Sequence, residues 1–248
     1  MSSDLFWPLA LFASVFVGMG KGGLPVVGML AVPSLALVMS PIAAAGLLLP
    51  VYVVSDIFGL VAYRRDFDRR VLMIVLAGAT AGVGIGWATA HLVSEAAVTL
   101  LVGLIGVVFA ANLILRDNPD KSAKKPRIPS GLFWGTVTGF TSFVSHSGGP
   151  PFQVWVLPLR LSKSVFVGTS VIAFTYINAI KLVPYYYLGQ LNPDNLKVAV
   201  ILMVPAALAV WLGVYLVKVL PEALFFKIVT WALLLVSAKL VFDGISGI

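Results

Sequence analysis

Seven residues, Ser145-His146-Ser147-Gly148-Gly149-Pro150-Pro151, interrupt apolar sequence that runs from Gly131 to Val144 and resumes from Phe152 to Leu159. Pro150 and Pro151 supply no backbone N–H and clash with the preceding turn, so no helix continues through them. In hydrocarbon an unpaired backbone group costs several kcal/mol, and broken backbone at membrane depth persists only where protein buries it or a polar cavity receives it. The break is therefore a candidate site. The same device stands earlier, as Gly18-Met19-Gly20-Lys21-Gly22-Gly23-Leu24-Pro25, and Gly22, Gly23 and Pro25 recur as Gly148, Gly149 and Pro151, 126 positions later. Paired Gly/Pro-interrupted apolar segments in two halves of a chain point to the binding site of a secondary transporter.

The rest of the chain fits a membrane setting. It is 60% hydrophobic and 11% charged, against about 25% charged in soluble domains. Cysteine is absent, which excludes disulfides and thiolate chemistry. With His91 and His146 the only histidines, no metal site and no cofactor is expected. The net charge of +7 lies mostly in short loops between apolar runs, which argues for topology rather than nucleic acid. No positive charge precedes the first apolar run after Met1-Ser2-Ser3-Asp4, so the N-terminus reads as mature sequence.

Apolar stretches at about 41 to 63, 71 to 90 and 96 to 115 each approach the ~20 residues that a 30 Å hydrocarbon layer requires. A polar linker follows, and then the order repeats: a broken block at 131 to 159 and stretches at about 164 to 188, 196 to 217 and 222 to 243. Pro33 echoes Pro158 and Glu95 echoes Glu222 at nearly the same offset. The matching order makes the chain an internal repeat.

Lys and Arg counted in short loops give the orientation. Arg64, Arg65, Arg69 and Arg70 mark one cytoplasmic loop, and Arg116, Lys121, Lys124, Lys125 and Arg127 mark the linker. Arg160 with Lys163, and Lys218, mark two more. The loops near Ser40 and from His91 to Glu95 carry none. The alternation requires each broken block to enter and leave on one side, as a re-entrant hairpin. A hairpin plus three spans is an odd number of crossings, so the two halves are inverted. The expected fold is an all-α polytopic membrane protein of two inverted repeats, each a broken or re-entrant helical hairpin plus three transmembrane helices, eight hydrophobic blocks in all. Residues 1–115 form the first membrane repeat, 116–130 a cytoplasmic linker and 131–248 the second repeat. The competing arrangement has eight spans, each broken block crossing once.

Polar residues inside apolar spans are few. Thr175, Asn178, Lys181 and Tyr185 recur at spacings of three and four and share one helix face. Lys181 stands eight residues before Gly189, roughly 12 Å at 1.5 Å per residue, where an uncompensated cation costs at least ~3 kcal/mol. It reads as counter-ion to an anionic substrate, or else as a snorkelling or structurally paired lysine. Asp56 is the one carboxylate inside a span, on a face with Tyr52, Gly59 and Tyr63. It is a structural partner of Lys21 or Lys181, or a coupling relay. Lys21 at the first break adds positive potential to the N–H groups of Gly22 and Gly23, since exposed N–H groups bind anions. At the second break His146 and Ser147 offer donors, Gly148 and Gly149 offer backbone N–H groups, and Gln153 follows. Trp155 and Tyr185-Tyr186-Tyr187 read as interfacial belt residues. Ser145 and Ser147 beside His146 lack a Gly-x-Ser-x-Gly elbow, which counts against a hydrolase.

The run Gly139-Phe140-Thr141-Ser142-Phe143-Val144-Ser145-His146-Ser147-Gly148-Gly149-Pro150-Pro151 resembles the second-half signature of the sulfite exporter TauE/SafE family of membrane transporters. So do Leu157-Pro158-Leu159-Arg160-Leu161 with Lys163, Gly168-Thr169-Ser170, Asn178 with Lys181, and Leu188-Gly189-Gln190-Leu191. The first half departs by placing Lys21 within its glycine-rich run. The resemblance implies transport of a small anion, commonly sulfite or an organosulfonate, across the bacterial cytoplasmic (inner) membrane.

The functional expectation is a secondary transporter with alternating access, holding an anion between the two hairpin tips, and not an enzyme. Its partners are the small anionic substrate and the lipid bilayer, with a proton or sodium ion as candidate coupling ion and a second copy of the chain as candidate partner. Moving one charge through 100 mV is worth about 2.3 kcal/mol, so a monovalent anion leaves an inside-negative cell downhill, which favours export. The alternative is an anion channel with the two broken loops as filter.

Overall fold

A computed structural model describes residues 5–115, 123–189 and 193–247. Residues 116–122, which hold half of the expected linker with Arg116 and Lys121, lie outside the described residues. Among those described there are helices and no strand. The expected helical class is what forms, and the two expected breaks fall where glycine and proline put them. The first block comprises α1 (Phe6–Lys21), α2 (Pro25–Gly28) and α3 (Ala31–Leu35), and the second α7 (Ile128–Ser145), α8 (Gly149–Val156) and a 3₁₀ turn at Leu157–Leu159.

Between and after them lie α4 (Pro41–Tyr63), α5 (Arg69–Ala88), α6 (Glu95–Leu115), α9 (Lys163–Tyr187), α10 (Pro193–Val219) and α11 (Glu222–Ser246). These six carry stretches of 20 to 25 residues that are long and apolar enough to cross a membrane. Helix starts follow local chemistry. Ser40 accepts from the Ala43 N–H at 3.3 Å, and Asp68 accepts from the Val71 N–H at 2.9 Å, so each satisfies a donor that the first turn leaves open. Pro50, Pro184 and Pro205 lie within α4, α9 and α10, as transmembrane helices tolerate.

Each broken block doubles back on itself. Gly28 packs against Gly20, where a Cβ added to Gly20 would stand 2.6 Å from the Gly28 Cα. In the second block the indole of Trp155 lies against Gly131 and donates from Nε1 to Ser130 Oγ at 3.2 Å. The end of α8 thus returns to the start of α7. Trp155 is buried, so it is a contact within the broken block and not the interfacial belt residue its type suggested.

The described chain clusters into two compact units. The first runs to Asp66 and resumes from Ser170 to Leu220, and the second takes Phe67–Thr169 and Pro221 onward. Each mixes helices from both sequence halves. In the first unit α1 packs along α10, and in the second α7 packs along α5. The first helix of each broken block therefore meets the second long helix of the other half. Both interfaces are glycine-lined. A Cβ at Gly22 would meet the Val210 carbonyl and, at 2.7 Å, the Gly213 Cα, while one at Gly82 would meet the Thr136 carbonyl and, at 2.7 Å, the Phe140 nitrogen. Small residues let helix backbones approach closely where no hydrophobic effect drives association. Within the second unit α6 and α11 pair in the same manner through Gly103, Gly106 and Gly244.

One glycine is required for its backbone. Gly23 adopts φ 111°, a region costly for any residue with a Cβ. Gly23→Ala is expected to destabilise the first break by about 1–2 kcal/mol, read as a lowered melting temperature of the purified protein.

Candidate functional site

The first break ends α1 at Lys21, and the turn uses its own donors. The Gly22 N–H bonds the Gly18 carbonyl at 2.8 Å and the Gly23 N–H bonds the Gly20 carbonyl at 3.2 Å. The expectation that Gly22 and Gly23 present backbone N–H groups to an anion is therefore corrected: both are consumed in closing the helix end. What the tip presents is the Lys21 ammonium.

That ammonium lies 2.6 Å from Asp56 Oδ1. Asp56, 2% exposed, sits mid-way along α4 and gathers three partners. Asn178 donates from Nδ2 to Oδ2 at 2.9 Å. The Thr175 hydroxyl divides its proton between Asp56 Oδ1 at 2.9 Å and its own-turn Val171 carbonyl at 2.8 Å. Between the two readings open for Asp56 as an ion-pair partner, the geometry selects Lys21. The helical face of α9 then delivers Lys181, 0% exposed, one turn beyond Asn178. Its Nζ stands 5.7 Å from the centre of the Tyr185 ring, within electrostatic reach of Lys21 and Asp56. Tyr185 is buried here, while Tyr186 and Tyr187 are exposed, so the tyrosine cluster divides between site and surface.

Two tyrosines of α4 complete the arrangement. Tyr63 donates to the Gly22 carbonyl at 2.7 Å, and Tyr52 donates to the Gly28 carbonyl at 3.1 Å, its ring 5.3 Å from Lys21 Nζ. Gly59, between them, leaves room for the Lys21 carbonyl, which a Cβ would approach to 2.8 Å. The spacing Tyr52, Asp56, Gly59, Tyr63 was visible as a helix face. Its role as the seat of the broken tip was not, because a sequence does not say which helix faces which.

Lys21, Asp56 and Lys181 are the three buried Asp, Glu, Lys, Arg or His side chains among the described residues, and all lie in the first unit. With both lysines protonated, two cations face one carboxylate, and the cluster carries one net positive charge. Chemically the cluster is suited to receive a small anion.

In the second unit, His146 ends α7 in the left-handed conformation at φ 52°. Ser147 is buried and donates from Oγ to the Ser145 carbonyl at 3.0 Å. Gly148 and Gly149 open α8, and the Gly148 carbonyl accepts from the Phe152 N–H at 3.3 Å. Gln153 is buried one turn further on. These residues form a polar break of their own, without a charged side chain at its core.

The family model described as Sulfite exporter TauE/SafE matches residues 8–240. The chain belongs to that family. No curated protein and no solved structure matches it. This TauE/SafE chain is a multi-pass membrane protein of a transporter family, and its six long apolar helices agree with that membership.

Proposed function

We propose that this chain is a secondary transporter that carries a small oxyanion, sulfite or an organosulfonate, by alternating access across the bacterial cytoplasmic membrane, and that it exports. The observation that carries the reading is the buried cluster of Lys21, Asp56 and Lys181, in which two lysines stand against one carboxylate. Lys181 is the counter-ion of the bound anion. Asp56 and its donors Thr175 and Asn178 hold Lys21 in place. A sulfite or sulfonate suits the cluster because its oxygens accept several hydrogen bonds at once.

The inverted-repeat reading is supported by the reciprocal pairing of α1 with α10 and of α7 with α5. The re-entrant reading is supported by the doubling back of each broken block, and by lengths. Helices of 4, 5 and 8 residues cannot span about 30 Å at 1.5 Å per residue. Arginines at the α4–α5 connection orient the protein with that loop inside.

The test is ligand-dependent thermal stability of the purified protein across sulfite, sulfate, taurine, sulfoacetate, aromatic sulfonates and carboxylates. One anion class is expected to raise the melting temperature of the wild type. Lys181→Gln is expected to weaken that anion at least tenfold, the scale of one lost charge-assisted hydrogen bond. A shift that survives Lys181→Gln overturns the site. Saturable counterflow in liposomes supports a carrier, whereas unitary currents replace it with a channel.

A further inference from the structure

Among the described residues, five buried side-chain atoms have no hydrogen-bond partner: Gln153 Nε2 and Oε1, Thr138 Oγ1, Ser237 Oγ and Ser55 Oγ. An orphaned buried polar group costs about 1–3 kcal/mol, and native structures keep few of them without a use. Four of the five belong to the second unit, on α7, α8 and α11.

Ser237 packs near the first turn of α8, Gln153 lies on that helix, and Thr138 stands on the helix that leads into the second break. A Cβ on Gly106 of α6 would meet Ser237 Oγ and stand 3.3 Å from the Pro150 Cβ, so α6, the first turn of α8 and α11 converge there. Gln153 follows Pro150 by three residues and shares its helix face. Thr138 lies one turn before Thr141, whose hydroxyl approaches the Ser147 carbonyl to 3.4 Å. The amide of Gln153, 1% exposed, is unusual in lacking partners at both ends. It has two N–H donors and a carbonyl acceptor, and the two hydroxyls each donate and accept.

We propose that Gln153, Ser237 and Thr138 form a second, uncharged binding station for the anion, and that the Gln153 amide selects a singly charged oxyanion bearing a hydrogen-bond donor of its own. This rests on the anion-transport reading above. The chemistry follows from what is unpaired. An anion's oxygens accept from the amide N–H groups and the hydroxyls, but only a ligand with an O–H or N–H satisfies Gln153 Oε1. The second unit contributes no buried Lys, Arg, Asp or Glu among the described residues, so a dianion would meet no counter-charge and pay its full desolvation. Hydrogen sulfite meets both conditions.

The experiment is calorimetric titration of the full-length protein at mildly acidic pH, where sulfite carries one proton. The probes are hydrogen sulfite and methanesulfinate, in which a methyl group replaces the O–H. The wild type is expected to favour hydrogen sulfite by about tenfold, the worth of one well-formed hydrogen bond. Gln153→Met is expected to abolish that preference, and Ser237→Ala to weaken both anions. In the absence of ligand both variants are expected to melt at or above the wild-type temperature, because each removes an unsatisfied group.

If Gln153→Met instead lowers the ligand-free melting temperature and leaves the preference intact, internal water satisfies these atoms and the proposal falls. Binding that Lys181→Gln removes but that is indifferent to Gln153 and Ser237 overturns the second station and keeps the first. No binding of either probe to the wild type overturns both. Stabilisation by sodium that Ser237→Ala abolishes assigns the oxygens to a cation and equally overturns the proposal.

Discussion

Asp56→Asn is expected to lose about 3–5 kcal/mol of unfolding free energy, the cost of leaving a buried charge without its partner, and to abolish anion transport. The carboxylate holds the Lys21 ammonium at 2.6 Å and accepts from Asn178 and Thr175. An amide in its place offers one oxygen and brings an N–H group towards an ammonium. Adding Lys21→Met to Asp56→Asn is expected to recover much of the loss, because removing both charges avoids the orphan. A double-mutant cycle on chemical unfolding reads the coupling directly. Additive losses would remove the ion pair from the account of stability. Transport should stay absent in the double variant, since the tip then has no cation to offer.

Gly82→Ala is expected to be nearly as damaging for a single methyl group. Its Cβ would press on the Thr136 carbonyl and the Phe140 nitrogen of α7, and backbone on the far side cannot rotate away as a side chain can. Overpacking of this kind costs roughly 1–3 kcal/mol and more where nothing yields, and the α5–α7 seam is the main contact of the second broken block. Gly84, two residues on, has nothing within 4 Å of an added Cβ. Gly84→Ala should therefore be neutral, or stabilise by up to about 1 kcal/mol through helix propensity. Equal melting temperatures for the two variants would refute the packing argument.

These effects differ in how far the sequence announces them. The breaks at 22–24 and 146–148 follow from glycine and proline alone, and six spans follow from stretches of about 20 apolar residues. The polar face of α9 was legible because Thr175, Asn178 and Lys181 keep helical spacing and few other residues in that span are polar. Which lysine Asp56 would choose was not legible, since spacing fixes a face on one helix and leaves its rotation against another open. The same gap hid Tyr63 and Tyr52, whose targets are backbone carbonyls that any sequence contains. Expecting free N–H groups at Gly22 and Gly23 overlooked that the turn closing α1 needs them itself. Ser237 and Thr138 carried no signal, because a hydroxyl in a helix ordinarily bonds its own preceding turn, and only the structure shows that these two do not. The two compact units cut across the sequence halves for a similar reason: a repeat is read from order, whereas compactness depends on which glycine-lined faces meet.

The hydroxyls of Tyr63 and Tyr52 grip the backbone on either side of the first break, and Asp56 grips the lysine at its end. All three come from one helix, which Thr175 and Asn178 also brace from α9. A loop fastened at three points to a single rod cannot swing as a hinged flap. In the proposed alternating-access cycle, a displacement that exposes Lys21 to one side of the membrane or the other would carry α4 along with it, so the proposal puts the motion in a whole helical block rather than in its tip.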